Sequence, residues 1–268
     1  MPIARLLARA AALAALAVPF ATLPARAAED LRVPATLPYD ANVTRNLWVD
    51  ASVTFRSWPG SDAFPKANDF ALVVDGAFEL FPKIEVGANT SLVQRDYRER
   101  DLSSGSGLTD TQVWGKYRLF EDQNVRVGAG AIVSLPTGSK GDGLGTGNPG
   151  LGVFVGAGTR TAGNAFVQGF VGLRQNDDLD NSVTTTLNGR NSLFVGFGGV
   201  VPAQEGLEAF ASLMLETERW RGAGTFAQLT GGGRWRIGNA WKLQAQAGVG
   251  FGDSAPRFAL GFGFVYAP

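Results

Sequence analysis

The strongest constraint in this sequence is an alternation of apolar and polar residues that recurs from residue 45 to the end of the chain. In its first occurrence the apolar side chains fall on odd positions from Leu47 to Phe55, with polar side chains between most of them. A period of two places apolar residues on one face of a β-strand and polar residues on the other. The predicted strands are 45–57, 69–81, 84–97, 109–120, 125–135, 149–160, 165–175, 191–201, 207–219, 224–237, 241–251 and 256–266.

The connections between these strands alternate between short and long. Tight turns with Pro, Gly, Asn or Asp are predicted at 81–83, 121–124, 161–164, 202–206 and 238–240. Longer links are predicted at 58–68, 98–108, 136–148 and 176–190, with shorter ones near 220–223 and 252–255. Outer-membrane barrels have short periplasmic turns and long external loops, whereas a soluble sandwich has no reason to sort its loops in this way. The sequence therefore predicts an all-β fold, a 12-stranded antiparallel transmembrane β-barrel over residues 44–268.

Residues 1–27 have the composition of a secretory signal peptide. Arginines flank an unbroken apolar stretch from Ala10 to Val18, and Ala25 to Ala27 form a small-residue cleavage box. We expect this signal peptide to be cleaved, which leaves residues 28–43 as a periplasmic N-terminal segment ahead of the barrel. The expected location is the outer membrane of a Gram-negative bacterium.

The composition excludes several kinds of chemistry. The chain has no His and no Cys, so Ser-His-Asp and Cys-His nucleophile systems and His- or Cys-ligated metal sites are impossible. Its 24 Lys and Arg balance 24 Asp and Glu, and nucleic-acid binding normally needs a basic excess. We therefore expect no enzyme, no cofactor, no metal and no nucleic-acid partner. The expected partners are the outer-membrane lipid bilayer, a small-molecule solute and the insertion machinery that reads the aromatic last strand.

The polar face of the strands is expected to line the lumen, because Arg or Lys facing lipid at the bilayer midplane costs ~2–4 kcal/mol. Basic side chains outnumber acidic ones on this face, and large apolar residues interrupt it. The predicted lumen-lining residues are Asp110, Trp114, Lys116, Arg118, Arg126, Phe154, Phe166, Phe170, Arg174, Phe194, Phe210, Arg234 and Arg236.

Two arrangements of these side chains remain open. The charges can pair across a narrow lumen and block it, or they can line a water-filled path. The aromatic residues, interleaved with Gly, can be plain filling, or they can form a passage for aromatic or amphipathic molecules. Two functions follow: a passive outer-membrane channel for small molecules, or a non-conducting structural or adhesive barrel with a salt-bridged, plugged lumen.

Aromatic residues near the strand ends predict two interfacial girdles. At the ends with long loops these residues are Trp58, Tyr97 and Trp220. At the ends with short turns they are Tyr117, Trp235, Trp241 and Tyr266.

One part of the chain resembles a known family. The stretch from Gly107 to Leu119, then Leu135-Pro136-Thr137-Gly138 and the Gly-rich loop after it, are similar to the outer-membrane transporter family named for the meta-pathway of phenol degradation. The resemblance is anchored on residues 107–175. It implies a β-barrel and a role in moving hydrophobic or aromatic compounds.

Overall fold

The structure is a computed structural model that describes Arg32 and residues 38–44, 46–98, 102, 104–161, 164–184 and 186–268. The predicted signal peptide, 1–27, lies outside the described residues. The strands are β1 Leu47–Trp58, β2 Ala67–Phe81, β3 Ile84–Tyr97, β4 Gly105–Leu108, β5 Thr111–Glu121, β6 Val125–Leu135, β7 Gly150–Arg160, β8 Phe166–Asn176, β9 Asn191–Gln204, β10 Leu207–Glu216, β11 Phe226–Arg236, β12 Trp241–Phe251 and β13 Phe258–Tyr266. Across these same ranges, no helix is long and apolar enough to cross a membrane.

The strands form one antiparallel sheet that closes on itself. Sequential strands pair as neighbours, and β1 pairs with β13 from Val49 opposite Tyr266 to Ser57 opposite Phe258. Both β4 and β5 pair with β3, so these two segments together act as one strand. The result is the predicted barrel of twelve strands. Closure pairs the backbone amides that an open sheet edge would leave unsatisfied in lipid.

The interruption between β4 and β5 is the main difference from the predicted strand 109–120. At this point the Asp110 carboxylate accepts hydrogen bonds from the Gly138 backbone N–H at 2.9 Å and the Thr146 backbone N–H at 2.8 Å. Asp110 therefore binds the loop that follows β6. The pairing of the strand is broken where this carboxylate reaches the loop.

Alternation of exposure along the strands shows which face lies outside. On β7, Leu151 and Val153 are half exposed. Phe154, which follows Val153, is buried. On β13, Phe262 is 69% exposed. A soluble sandwich would bury such side chains against a second sheet, whereas a transmembrane barrel presents them to lipid.

The two ends of the barrel differ in the length of their connections. At the end that contains the start of β1 and the end of β13, the strands are joined by the short links 82–83, 122–124, 161–165, 205–206 and 237–240. The longer links, 59–66, 98–104, 136–149, 177–190, 217–225 and 252–257, lie at the other end. We call the first the periplasmic end and the second the mouth, following the loop pattern of outer-membrane barrels.

Arg32 and residues 38–44, which are described ahead of β1, lie inside the barrel. Tyr39, Asp40, Ala41 and Asn42 are all buried, and their partners are inward-facing side chains of the wall. The sequence predicts a periplasmic position for 28–43, and the described part of that range differs from this prediction. The physical reason is that the inner wall offers hydrogen-bond donors that this stretch of backbone satisfies.

Candidate functional site

A buried lysine of the wall binds the chain ahead of β1 inside the lumen. We call the described residues there, Arg32 and 38–44, the N-terminal segment. The Lys116 ammonium lies 2.5 Å from Asp40 Oδ1 and donates to the Asp40 carbonyl at 3.2 Å. It is also 3.3 Å from Glu85 Oε1, and all three side chains are fully buried. A buried charge of this kind is tolerated only with partners, so Lys116 and the segment stabilise one another.

Glu85 on β3 gathers several donors from the segment and the wall. Its carboxylate accepts from the Thr44 backbone N–H at 2.6 Å and from Trp114 Nε1 at 3.0 Å. It also forms a salt bridge with the guanidinium of Arg32. Glu85 thus ties both described parts of the N-terminal segment to the wall.

Further polar side chains of the wall bind the backbone and side chains between Ala41 and Val43. Arg118 donates to the Val43 carbonyl at 3.2 Å, and Arg126 donates to Asn42 Oδ1 at 2.7 Å. Gln168 Oε1 accepts from the Ala41 backbone N–H at 3.1 Å. Each of these contacts replaces one that water would otherwise make.

Tyr39 fills an aromatic pocket on the inner wall. Its ring centroid lies 5.4 Å from that of Phe154, 5.1 Å from Phe170 and 4.6 Å from Phe194. Its hydroxyl accepts a hydrogen bond from Arg174. These inward aromatic residues are therefore packed against the chain's own N-terminal segment.

The backbone of the N-terminal segment packs closely against β7 because β7 has a glycine, Gly156, at the point of contact. A Cβ atom at Gly156 would lie 2.8 Å from the Tyr39 carbonyl oxygen and 3.3 Å from the Ala41 nitrogen. Contacts under 3.0 Å require something to shift. Of the two glycines of the wall next to the segment, Gly156 has the tighter approach, since a Cβ at Gly128 would lie 3.4 Å from the Ala41 carbonyl oxygen.

Arg32 lies against the other side of the lumen. Its carbonyl accepts a hydrogen bond from Arg234 on β11, and its guanidinium sits 5.2 Å from the centroid of the Trp48 ring on β1. Arg234 itself lies 5.3 Å from the centroid of Phe210. Arg32 therefore bridges β1, β3 and β11 across the interior.

The predicted lumen-lining residues fall into three groups. The residues that contact the N-terminal segment or its aromatic pocket are Trp114, Lys116, Arg118, Arg126, Phe154, Phe170, Arg174, Phe194 and Arg234. Phe166 and Phe210 are buried beside Arg126 and Arg234. Asp110 binds the loop after β6, and Arg236 is exposed at the periplasmic end of β11.

The ion pairs that are resolved between described strands of the wall are local. Arg174 on β8 lies 3.4 Å from Glu216 on β10, and Lys242 on β12 lies 2.9 Å from Glu208 on β10. Within the described ranges these pairs join strands that are adjacent or one apart. The described part of the N-terminal segment therefore fills part of the lumen.

Two regions of the interior follow from these contacts. The segment from Tyr39 to Asn42 packs against β5 to β9, and we call the inner surface of these strands the filled half. The inner surface of β1, β2 and β11 to β13, which we call the polar half, encloses a cavity of about 330 Å³. Its lining includes Asp50, Asp75, Thr54, Thr230 and Gln246.

A second cavity, of about 270 Å³, lies among the loops of the mouth. Its aromatic lining residues are Trp58, Phe64, Tyr97, Trp220 and Phe226. Because Trp58 and Phe226 also line the cavity of the polar half, the two cavities adjoin. We call the second one the mouth cavity.

Polar contacts fix the walls of the mouth cavity. Arg95 binds Asp69 through two nitrogens at 2.7 and 2.9 Å, and Trp58 Nε1 donates to the same carboxylate at 2.9 Å. In the loop after β10, the Gly222 backbone N–H and the Arg190 guanidinium hold the pKa of the Glu218 carboxyl below its usual value.

The predicted girdle at the mouth is wrong. Trp58, Tyr97 and Trp220 line the mouth cavity instead of facing lipid. The reason is that each has an internal acceptor: the Asp69 carboxylate for Trp58, the Asp142 carbonyl for Tyr97 and the Asp177 carbonyl for Trp220. At the periplasmic end Tyr117, Trp235 and Trp241 are exposed, as a girdle requires, whereas Tyr266 is buried.

No model of a known protein family matches the sequence, and no curated protein matches it. Solved structures do match. An outer membrane channel from Pseudomonas putida F1 has a TM-score of 0.70 at 12% identity, over 86% of this chain and 98% of that chain. The chain has the fold of outer-membrane β-barrel proteins.

Two other barrels show how general this fold is. The KdgM porin has a TM-score of 0.51 at 9% identity, over 82% of this chain and 99% of that chain. The beta domain of the Bordetella autotransporter Brka has a TM-score of 0.51 at 12% identity, over 83% of this chain and 99% of that chain. At these identities the likeness shows the fold alone. This fold is also the one that the resemblance in residues 107–175 implies.

Proposed function

We propose that the protein is an outer-membrane channel for small molecules, closed in this structure by its own N-terminal segment. Solutes pass by diffusion when the segment leaves the filled half. The observation that carries this proposal is the set of donors in the wall, Lys116, Arg118, Arg126 and Arg174, whose partners include atoms of the segment. Charged groups of this kind are readily hydrated, so departure of the segment leaves a polar path through the barrel.

The proposed solutes are aromatic or amphipathic molecules that first enter the mouth cavity. Its aromatic walls combined with a few polar groups, such as Arg95, have the character of small-molecule binding sites. The resemblance to transporters of hydrophobic or aromatic compounds supports the same class of solute. The aromatic positions from Phe258 to Tyr266 support a further partner, the outer-membrane insertion machinery.

A non-conducting barrel is the second candidate, and the filled lumen favours it. The two functions differ in what happens when residues 28–44 are deleted after the signal peptide. For a gated channel, reconstituted liposomes containing the variant swell in solutions of small solutes, while wild-type liposomes swell slowly. We expect a difference of roughly an order of magnitude, because removal of the segment opens the lumen of a mid-sized barrel. A change of gel migration on heating, typical of closed barrels, confirms that the variant is folded.

Equal, slow swelling of both preparations with an intact barrel supports the non-conducting function. The aromatic preference is tested separately, by comparing phenol with glucose as the solute in the deletion variant. Replacement of Trp220 by Ala removes an aromatic wall of the mouth cavity, and we expect it to slow phenol uptake with little effect on glucose.

A further inference from the structure

A lining side chain of the mouth cavity, Arg219, uses little of its capacity to donate hydrogen bonds. It lies in the loop after β10 and donates to the Glu216 carboxylate. Its Nε N–H is buried and has no hydrogen-bond partner in the part of the chain that the structure describes. A guanidinium carries five N–H donors and no acceptor. Because buried polar groups are normally satisfied, Arg219 indicates an acceptor that occupies the cavity.

Other polar groups that line the mouth cavity donate to acceptors inside the protein. The Tyr97 hydroxyl donates to the Asp142 carbonyl at 3.0 Å. The Thr146 hydroxyl donates to the Asp110 carboxylate at 2.6 Å. These donors need no ligand, so a molecule in the cavity meets its unmatched donor at Arg219.

The acid that binds Arg219 is shared with a second arginine. Arg174 Nη1 lies 3.4 Å from the Glu216 carboxylate that also accepts from Arg219. Arg174 donates otherwise to a hydroxyl, that of Tyr39. One carboxylate therefore faces two guanidinium groups. The three side chains together carry a net positive charge, which attracts an anion.

The same arrangement of two arginines around one acid recurs at Asp69. Arg95, which lines the mouth cavity, lies 2.7 Å from this carboxylate, and Arg56 lies 3.2 Å from it. The acid among the lining residues is Asp253, which is exposed beside Gly224, so water and salt screen its charge. The charges at the mouth cavity are therefore positive on balance.

Aromatic rings lie next to Arg219 in the same cavity. Trp220 follows Arg219 in the chain, and its ring centroid lies 6.3 Å from that of Phe64 at an interplanar angle of 74°. Both rings line the mouth cavity together with Phe226. Aromatic rings at such spacings pack favourably against a further ring. The cavity thus combines a cationic donor with an apolar, aromatic surface.

We propose that the mouth cavity binds an aromatic monocarboxylate, with the carboxylate at Arg219 and the ring against Phe64 and Trp220. This inference rests on the proposed function, because it narrows the class of solute that the channel receives. A guanidinium matches a carboxylate in geometry as well as in charge. The cavity, at about 270 Å³, is slightly smaller than sites for drug-sized molecules, so it suits a molecule with a single ring.

Equilibrium binding to the mature protein in detergent tests this site without any measurement of conduction. The probe is benzoate at neutral pH. It is compared with benzamide, which has the ring without the charge, and with acetate, which has the charge without the ring. We expect saturable binding of benzoate, and binding of benzamide and of acetate that is weaker by about tenfold or more.

Arg219→Gln removes the guanidinium and keeps an uncharged polar side chain. We expect it to weaken benzoate binding by about tenfold and to leave benzamide binding nearly unchanged. Arg221→Gln is the matched control, because Arg221 is an exposed arginine of the same loop that does not line the cavity. This control leaves benzoate binding unchanged.

Phe64→Ala removes an aromatic wall and retains the charges, so it tests the same site if Arg219→Gln does not fold. We expect it to weaken benzoate binding several-fold and to leave acetate binding unchanged. Benzamide binding as tight as that of benzoate, or equal effects of Arg219→Gln and Arg221→Gln, would overturn the site. Displacement of benzoate by acetate as effective as by a second aromatic carboxylate would overturn the assignment of an aromatic ligand.

Failure of this inference is distinguishable from failure of the proposed function. If benzoate does not bind but phenol enters liposomes that contain the 28–44 deletion variant, the carboxylate is wrong and the channel stands. If benzoate binds as expected but the deletion does not open the barrel, the site stands and the channel is wrong.

Discussion

The filled half and the polar half of the lumen are built from the same alternating strands, yet they bind different parts of the N-terminal segment. Residues 39–42 pack against the filled half, whereas Arg32 contacts β1 and β11 of the polar half. The filled half presents donors, among them Lys116 and Arg126, whereas the polar half presents acceptors such as Asp50 and Asp75. The Asp40 carboxylate is attracted by the donors of the filled half and repelled by the carboxylates of the polar half. The positive side chains of the filled half therefore favour it as the position of residues 39–42.

The largest expected increase in solute flux comes from filling the space that the N-terminal segment occupies beside β7. Gly156→Val places side-chain atoms where the Tyr39 carbonyl now lies, so the segment has to leave the filled half. We expect solute flux in liposomes to approach that of the 28–44 deletion. Gly115→Val is the matched control, because a Cβ at Gly115 meets nothing within 4 Å. Flux at the wild-type level in Gly156→Val would show that the segment is not the barrier.

The next effect tests the charge on the filled half. Lys116→Met removes the ammonium that holds Asp40 and leaves this carboxylate buried without its main partner, at a cost of about 3–5 kcal/mol to the closed state. We expect more frequent opening in single-channel records. Lys140→Met removes a lysine that binds Asp180 among the loops of the mouth, and it should leave opening unchanged. If both variants open equally, charge on the filled half has no special role.

A smaller change separates packing from hydrogen bonding at Tyr39. Tyr39→Phe keeps the ring among Phe154, Phe170 and Phe194 and loses only the acceptor for Arg174, which retains Glu216 at 3.4 Å. We expect a loss of about 1 kcal/mol from the closed state, seen as a modest increase in opening. Tyr39→Ala also loses the ring contacts and should open the channel considerably more. Equal effects of the two variants would mean that the ring packing contributes nothing.

The smallest expected effect is a change of stability with pH that arises in the loops of the mouth. It does not involve the filled half or the polar half of the lumen. The folded protein holds the pKa of the Glu218 carboxyl below its usual value, so the contact with Gly222 and Arg190 contributes stability above the unfolded pKa. That contribution is retained down to the usual glutamate range, near ~4.3, and is lost as the pH falls below it. A carbon NMR titration of Glu218, assigned with the Glu218→Gln variant, measures the midpoint. A midpoint at or above the usual value would contradict the contact.

Much of the fold could be predicted from the sequence. The membrane requires strands with one apolar face, and outer-membrane barrels place short turns at one end and long loops at the other, so both features are visible in the order of residues. The predicted bounds 84–97, 125–135 and 241–251 agree with β3, β6 and β12. The inward position of Lys116 and Phe170 was likewise predictable from parity. The break at Asp110 was not, since it depends on which loop atoms the carboxylate reaches in three dimensions.

The position of the N-terminal segment was not predictable from periodicity, because a stretch without regular structure carries no such signal. Two features of the sequence nonetheless pointed to it. Basic side chains outnumber acidic ones on the inward face, so some of them need a negatively charged partner from outside the strands. Asp40 is such a partner for Lys116. The inward Phe154, Phe170 and Phe194 likewise require an apolar partner, and Tyr39 supplies it.

The most direct test of closure is to lock the segment in place and release it again in the same sample. The natural chain has no cysteine, so Ala41→Cys and Gly128→Cys introduce the only thiol pair, at a point where a Cβ on residue 128 would lie 3.4 Å from the Ala41 carbonyl oxygen. In reconstituted liposomes we expect no solute flux when the pair is oxidised and restored flux after reduction. Undiminished flux through the oxidised, fully cross-linked barrel would contradict the account, because solute would then pass with the segment still seated in the lumen.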